Sequence, residues 1–253
     1  MRTSKVLVIM LLNFGMLACT TVNEDVDTMR ASELNAQLGI RYLVQGKDEL
    51  ALSKLQKALY YNDENVNALH YMAELYRRVK RPEKAEQYYK KALKLGGGND
   101  TALLNNYGVF LCDHSRYREA DEYFQKVLND PVYANKDQAY ENIGLCALKR
   151  GELRETEDYL LRAIKYNPKL PKALLTLAQI KFDSGQVGKS YSYYSMYVKI
   201  AHQTPQSLWL GILLERKRGN GGKAASYGLL LKAKFPDSDE KRLLDKLETK
   251  KSR

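Results

Sequence analysis

The sequence repeats a pattern at intervals of about 34 residues from residue 32 onward, and this period limits the possible folds more than any other feature. Each unit has a large residue, then a small one, then a large one, as in Asn35, Gly39 and Tyr42. Residues at this spacing form one face of a helix, and the small residue leaves a notch where a second helix can approach. The units begin near residues 32, 66, 101, 137, 171 and 205. Because one helix pair cannot bury its own apolar face, the pattern predicts six stacked pairs.

A second signature follows within each unit, as in Ala51, Leu55 and Ala58, and predicts the second helix of the pair. Four units have a glycine between the two helices, where a helix commonly ends: Gly46, Gly151, Gly185 and Gly219. Lys80 and Ser115 occupy the same point in the other two units. These motifs resemble the tetratricopeptide repeat. The resemblance implies an all-α fold, a right-handed superhelix of six helix-turn-helix repeats over residues 32–253, with a capping helix at 237–250.

The first 18 residues have the pattern of a bacterial lipoprotein signal peptide. Arg2 and Lys5 precede an apolar run that is too short to span a membrane. The run ends at Ala18-Cys19, which resembles a lipobox, where the cysteine after a small residue is acylated. The resemblance implies a palmitate-bearing lipid on Cys19, a linker over residues 19–31 and, because Thr20 replaces the aspartate of inner-membrane retention, the periplasmic face of the outer membrane. The alternatives are an ordinary signal peptide with a chance cysteine, or a buried N-terminal helix.

No constellation of residues typical of an enzyme stands out. His70, His114 and His202 are too far apart for helical metal-ligand spacing, and the Gly219–Lys223 turn lacks the Ser or Thr of a phosphate-binding loop. The formal net charge is +11, but the basic residues are scattered, and an exported protein rarely meets nucleic acid. The sequence therefore predicts a binding protein without a catalytic site, cofactor, metal, small-molecule substrate or nucleic-acid partner.

The candidate binding surface is the groove that positions 2, 5, 9 and 12 of each first helix line in tetratricopeptide superhelices. A mixture of apolar and polar groups at these positions suits a helix or an extended peptide from a partner protein. The alternative is that some of these side chains fill the interior and contact only one another. The candidate residues are Ile40, Leu43, Asn67, His70, Glu74, Arg77, Asn105, Val109, Leu145 and Leu148.

The lipoprotein signal, the six repeats and a length of 253 residues together resemble the PilF/PilW family of type IV pilus biogenesis lipoproteins, or pilotins. The resemblance implies a monomeric adaptor, anchored in the outer membrane, that brings the type IV pilus secretin there and promotes its multimerisation. Two alternatives remain open. One is a lipoprotein of the outer-membrane β-barrel assembly machinery, and the other is a scaffold that regulates periplasmic peptidoglycan enzymes.

The cysteines predict one disulfide. Cys112 and Cys146 lie near the middle of the first helices of units three and four, so both approach the seam between neighbouring units. The periplasm is oxidising, and lipidation of Cys19 leaves these two as a pair. Two buried free thiols are the alternative.

Overall fold

The computed structural model describes residues 17–96, 98 and 100–249, and of residues 17–25 it describes the backbone alone. These residues form thirteen helices and no strand, which confirms the predicted all-α fold. The helices are α1 (Leu17–Val44), α2 (Asp48–Tyr61), α3 (Val66–Arg78), α4 (Pro82–Leu95), α5 (Thr101–Asp113), α6 (Tyr117–Asn129), α7 (Lys136–Arg150), α8 (Leu153–Tyr166), α9 (Pro171–Asp183), α10 (Val187–Ile200), α11 (Pro205–Lys217), α12 (Gly221–Lys234) and α13 (Asp239–Thr249). The chain divides into two compact units, an N-terminal unit (Met1–Phe110) and a C-terminal unit (Leu111–Arg253).

The first helix is longer than the sequence pattern predicts. Residues 19–31, predicted to be a linker, are helical and continuous with the first helix of repeat one. The chain has neither proline nor glycine between Leu17 and Gly39, so no residue there interrupts helical hydrogen bonding. Ser32 fixes this helix, since its hydroxyl donates to the carbonyl of Ala58 at 2.8 Å and accepts from the Asn65 amide at 3.0 Å.

The notch residues of the first helices let the second helices pack closely. A Cβ atom added to Gly39 would lie 2.6 Å from Cγ of Leu55, a distance that real side chains do not reach. In the C-terminal unit, a Cβ on Gly144 would lie 2.8 Å from Cδ2 of Leu160. Both leucines are fully buried. The small residue of the repeat is therefore required because the partner helix places a leucine directly against the backbone.

The turn between the two helices of a repeat has the same backbone geometry in all six repeats. Gly46, Gly151, Gly185 and Gly219 have φ between 72° and 82°, in the left-handed region that favours glycine. The two non-glycine residues at this point, Lys80 and Ser115, adopt φ of 56° and 59°. The tertiary packing therefore imposes this turn even where the local residue disfavours it.

Replacing Lys80 by glycine should stabilise the protein by about 1 kcal/mol, because glycine adopts positive φ without the Cβ clash that lysine suffers. Urea unfolding of the variant measures this gain as a higher transition midpoint. The matched control is Lys90→Gly in the interior of α4, where the same change should destabilise by about 1 kcal/mol. A lower midpoint for Lys80→Gly would show that the turn does not strain lysine.

The last helix covers the end of the repeat array in the C-terminal unit. Leu244 of α13 is 3% exposed and packs in one cluster with Leu208, Ile212 and Leu231. Its bounds fall within the range 237–250 expected for a capping helix. Among the residues that the structure describes, none of the helices has the length and apolar character needed to cross a membrane.

Candidate partner-binding surface

One face of α3 in the N-terminal unit gathers polar side chains at helical spacing. Asn67, His70, Glu74 and Arg77 are three or four residues apart, so they lie along the same side of the helix. Asn67 is exposed, Glu74 and Arg77 are half-buried, and His70 is buried. Ile40, on α1, is half-buried. We call Ile40, Asn67, Glu74 and Arg77 the α1–α3 surface, because these are the candidates on α1 and α3 that are not buried.

His70 is the buried residue of this row on α3. Its ring is 2% exposed and stacks on Tyr71 with centroids 4.7 Å apart. The side-chain amide of Asn106 lies 2.9 Å from Nε2 and can donate a hydrogen bond to it. Burial lowers the pKa of His70 below its usual value, although Glu74 and Asp100 oppose that shift. The imidazole is therefore neutral, and Nε2 accepts the hydrogen bond from Asn106.

Glu74 is the centre of a charged network. Its carboxylate pairs with Arg77 at 2.7 Å and also accepts a hydrogen bond from the phenol of Tyr89. Burial raises the pKa of Tyr89 well above its usual value, and the negative charge of Glu74 adds to this shift. Tyr89 thus remains a protonated donor, and the Glu74 carboxylate is held in place between a phenol and a guanidinium. A charged pair fixed in this way can recognise a partner with little loss of side-chain entropy.

Leu43 was predicted to line the groove, but it is part of the core. It is 4% exposed and packs in one cluster with Leu55 of α2 and with Met72 and Leu75 of α3. The first helices of repeats one and two pack against each other at this point, so position 12 of repeat one is covered by repeat two. Asn105 is likewise interior, at 3% exposed, whereas Val109 is half-buried.

The two remaining candidates lie on α7 in the C-terminal unit. Leu145 is half-buried and packs against a cluster that includes Leu160, Leu170 and Leu177. Leu148 is 36% exposed and is therefore available to a ligand. Of the two candidates in this unit, Leu148 is thus the more accessible.

The sequence interpretation missed three residues that shape the α1–α3 surface. Tyr71 stacks on His70, Asn106 is bonded to it, and Tyr89 is bonded to Glu74. Tyr89 belongs to the second helix of its repeat, and the position rule that selected the candidates considers first helices only. The sequence signal that could have found Tyr89 is a tyrosine at the repeat position where Leu55 and Leu160 stand in other repeats.

The structure contains a bond between the predicted cysteine pair. Cys112 and Cys146 are joined as a disulfide, with Cα atoms 5.9 Å apart, within the usual range for such a bond. The signal peptide prediction falls largely on residues outside the described part of the chain, and the side chain of Cys19 is likewise outside it. Among the described residues, no group of three or more His, Cys, Asp or Glu side chains could hold a metal ion.

Sequence profiles of the tetratricopeptide repeat match residues 64–129 and 137–170. Together with the notched helix pairs and the shared turn geometry, these matches define a tetratricopeptide repeat protein, a class that generally serves as a non-enzymatic scaffold for protein interactions. The type IV pilus assembly protein PilF of Pseudomonas aeruginosa is 30% identical over 244 residues, which cover 94% of this chain and 96% of that protein. The chain belongs to the family of the type IV pilus assembly protein PilF.

Two solved structures support this assignment. The structure of Pseudomonas aeruginosa PilF superimposes with a TM-score of 0.79 at 29% identity, covering 87% of this chain and 98% of that one. The structure of PilW, a widely conserved type IV pilus biogenesis factor, superimposes with a TM-score of 0.73 at 31% identity. That match covers 84% of this chain and 97% of PilW.

Proposed function

We propose that the protein is a lipid-anchored adaptor of type IV pilus assembly that binds the secretin subunit at the periplasmic face of the outer membrane and promotes its multimerisation. The observation that supports this proposal most strongly is the similarity to the type IV pilus assembly protein PilF over 94% of the chain. The Ala18-Cys19 junction after an apolar run supplies the anchor, since a cysteine at this place is the acylation site of bacterial lipoproteins. In this proposal, Cys19 is the lipidated residue.

The α1–α3 surface is the proposed contact for the secretin. It combines an apolar side chain, Ile40, with the exposed amide of Asn67 and the Glu74–Arg77 pair. An amphipathic helix or an extended segment could place an apolar residue against Ile40 and satisfy Asn67, Glu74 and Arg77 with polar groups. The partly buried hydrogen bonds from Asn106 to His70 and from Tyr89 to Glu74 hold the polar side of this surface in one arrangement before the partner arrives. Little reorganisation is then needed on binding.

Asn67→Arg tests this contact, because it adds bulk and charge at an exposed position without removing a buried group. We expect the variant to weaken secretin binding by about 1 kcal/mol or more, which is about fivefold in Kd. In cells, the level of heat-resistant secretin multimer on gels should fall accordingly. The matched control is Gln56→Arg, which makes the same change at an exposed position of α2.

A Cys19→Ala strain separates anchoring from recognition. Loss of the anchor should displace the secretin multimer from the outer membrane, whereas Asn67→Arg should reduce multimer while the adaptor itself remains in the membrane fraction. If Asn67→Arg and Gln56→Arg give equal multimer levels, the secretin does not bind the α1–α3 surface. If wild type does not co-purify with the secretin at all, the client is a different protein.

A further inference from the structure

The C-terminal unit contains a long stretch almost without acidic residues. From Ser184 to Pro236 there is one acidic residue, Glu215, and its side chain is fully buried. The same stretch has eight basic residues: Lys189, Lys199, Arg216, Lys217, Arg218, Lys223, Lys232 and Lys234. The net positive charge of the chain is therefore concentrated in this stretch, because the stretch has no exposed carboxylate that could neutralise its basic residues.

Four of these cations lie at the end of α11, on the turn that follows it or at the start of α12, a segment that we call the basic turn (Arg216–Lys223). Glu215 pairs with Arg218 at 3.2 Å and with Lys223 at 3.0 Å, so one buried carboxylate forms ion pairs with two cations. Arg216 and Lys217 are exposed, and no carboxylate among the described residues forms an ion pair with either. The basic turn therefore presents a net positive charge to its surroundings.

Aromatic contacts fix the shape of the basic turn. The Arg218 guanidinium lies 3.5 Å from the ring centre of Tyr191 on α10, a short cation–π contact. The Lys223 ammonium lies 5.8 Å from the ring centres of both Tyr191 and Tyr227. With Glu215 beneath them, Arg218 and Lys223 are held against the fold, and the turn keeps its charges at the surface in a defined arrangement.

The glycines of the basic turn leave its backbone open. Gly219 has a φ of 75°, which favours glycine. Gly221 and Gly222 are helical, so their backbone conformation does not require glycine. A Cβ atom added to any of the three would meet no atom within 4 Å, so the turn faces open space and is not the wall of a groove. Two glycines at the start of a helix cost stability, and they are useful where a backbone must approach a ligand closely.

We propose that the basic turn binds the surface of a membrane that contains anionic phospholipids. A cluster of Lys and Arg on an open turn matches a flat anionic surface, and such clusters are attracted to lipid phosphates within a Debye length. A groove-bound acidic peptide would require walls on both sides of the ligand, and the open space around the three glycines provides none. Gly221 and Gly222 allow the backbone of the turn to approach the headgroups.

Hydrogen exchange on vesicles tests this proposal with the full chain. The protein is reconstituted with phosphatidylcholine vesicles, either pure or mixed with phosphatidylglycerol, and amide exchange is followed at Gly219–Lys223. We expect slower exchange on the anionic vesicles, with the slowing lost in high salt. Arg216→Gln combined with Lys217→Gln should abolish the slowing, because these exposed side chains are not held by an internal ion pair.

The matched control is Lys165→Gln combined with Lys169→Gln, which removes the same charge from exposed positions elsewhere in the C-terminal unit and should retain the slowing. Unchanged exchange in α10, which none of these substitutions changes, verifies that the fold of each variant is intact. Equal exchange on both kinds of vesicle would overturn the proposal. Slowing by soluble polyglutamate but not by anionic vesicles would also overturn it, and would assign the basic turn to an acidic protein segment. Neither result bears on secretin binding by the α1–α3 surface.

Discussion

Replacing Leu43 by glutamate should destabilise the N-terminal unit by at least about 3 kcal/mol, because the change deletes a core side chain and buries an unpaired carboxylate. Leu43 is 4% exposed and lies among Leu55, Met72 and Leu75, none of which can neutralise or hydrogen-bond the new charge. Urea unfolding followed by circular dichroism measures the loss as a lower transition midpoint. Any fall in secretin multimer in this variant would then report loss of the fold and not loss of a contact.

The neighbouring residue provides the control for this experiment. Val44 is 80% exposed on the same helix, so Val44→Glu adds the same charge one position away at a cost within about 0.5 kcal/mol. Equal midpoints for Leu43→Glu and Val44→Glu would contradict the placement of Leu43 in the core. They would also restore Leu43 as a candidate for the binding groove.

The repeat pattern predicted the helices well because each signature reflects a local packing requirement. Repeats two to six were expected to start near residues 66, 101, 137, 171 and 205, and α3, α5, α7, α9 and α11 start within one residue of those positions. Small residues such as Gly39 stand at the notch because a leucine of the partner helix leaves no room for a Cβ atom. The turn could also be located from four glycines, and Lys80 and Ser115 adopt the same left-handed conformation.

The candidate surface was less predictable, because the position rule fixes the direction of a side chain and not what covers it. Positions 2 and 9 remain accessible at Asn67 and Glu74, but position 12 is covered at Leu43 and open at Leu148. Leu43 is covered because Met72 and Leu75 of the following repeat pack in one cluster with it. A tyrosine from a second helix, Tyr89, also enters the network around Glu74, which a rule based on first helices cannot predict.

The N-terminal extension of α1 shows a different limit of sequence reasoning. Residues 20–31 lack the apolar periodicity of an amphipathic helix, and this absence predicted a linker. Helix propagation, however, needs only residues that do not interrupt it once a stable turn exists. The repeat that begins at Ser32 supplies that turn through its bonds to Ala58 and Asn65.

Reduction of the Cys112–Cys146 disulfide should cost the C-terminal unit about 4 kcal/mol, which is the loop-closure contribution expected for a sequence separation of 34 residues. In thermal unfolding this loss corresponds to a lower Tm by roughly 10 °C for a protein of this size. Both cysteines are buried, at 4% and 3% exposed, so a reductant reaches the bond slowly and the protein must be reduced under unfolding conditions before refolding.

The double variant Cys112→Ala, Cys146→Ala distinguishes the effect of losing the disulfide from other effects of the reductant. It should unfold at nearly the Tm of the reduced wild type, and dithiothreitol should leave that Tm unchanged. The proposed location in the periplasm gives the prediction a second readout, since peptides from cells should contain the Cys112–Cys146 link without any added oxidant. Labelling of Cys112 by an alkylating reagent in protein unfolded without reductant would show that the bond does not form in the cell. Equal Tm values for oxidised and reduced protein would show that the bond contributes little to stability.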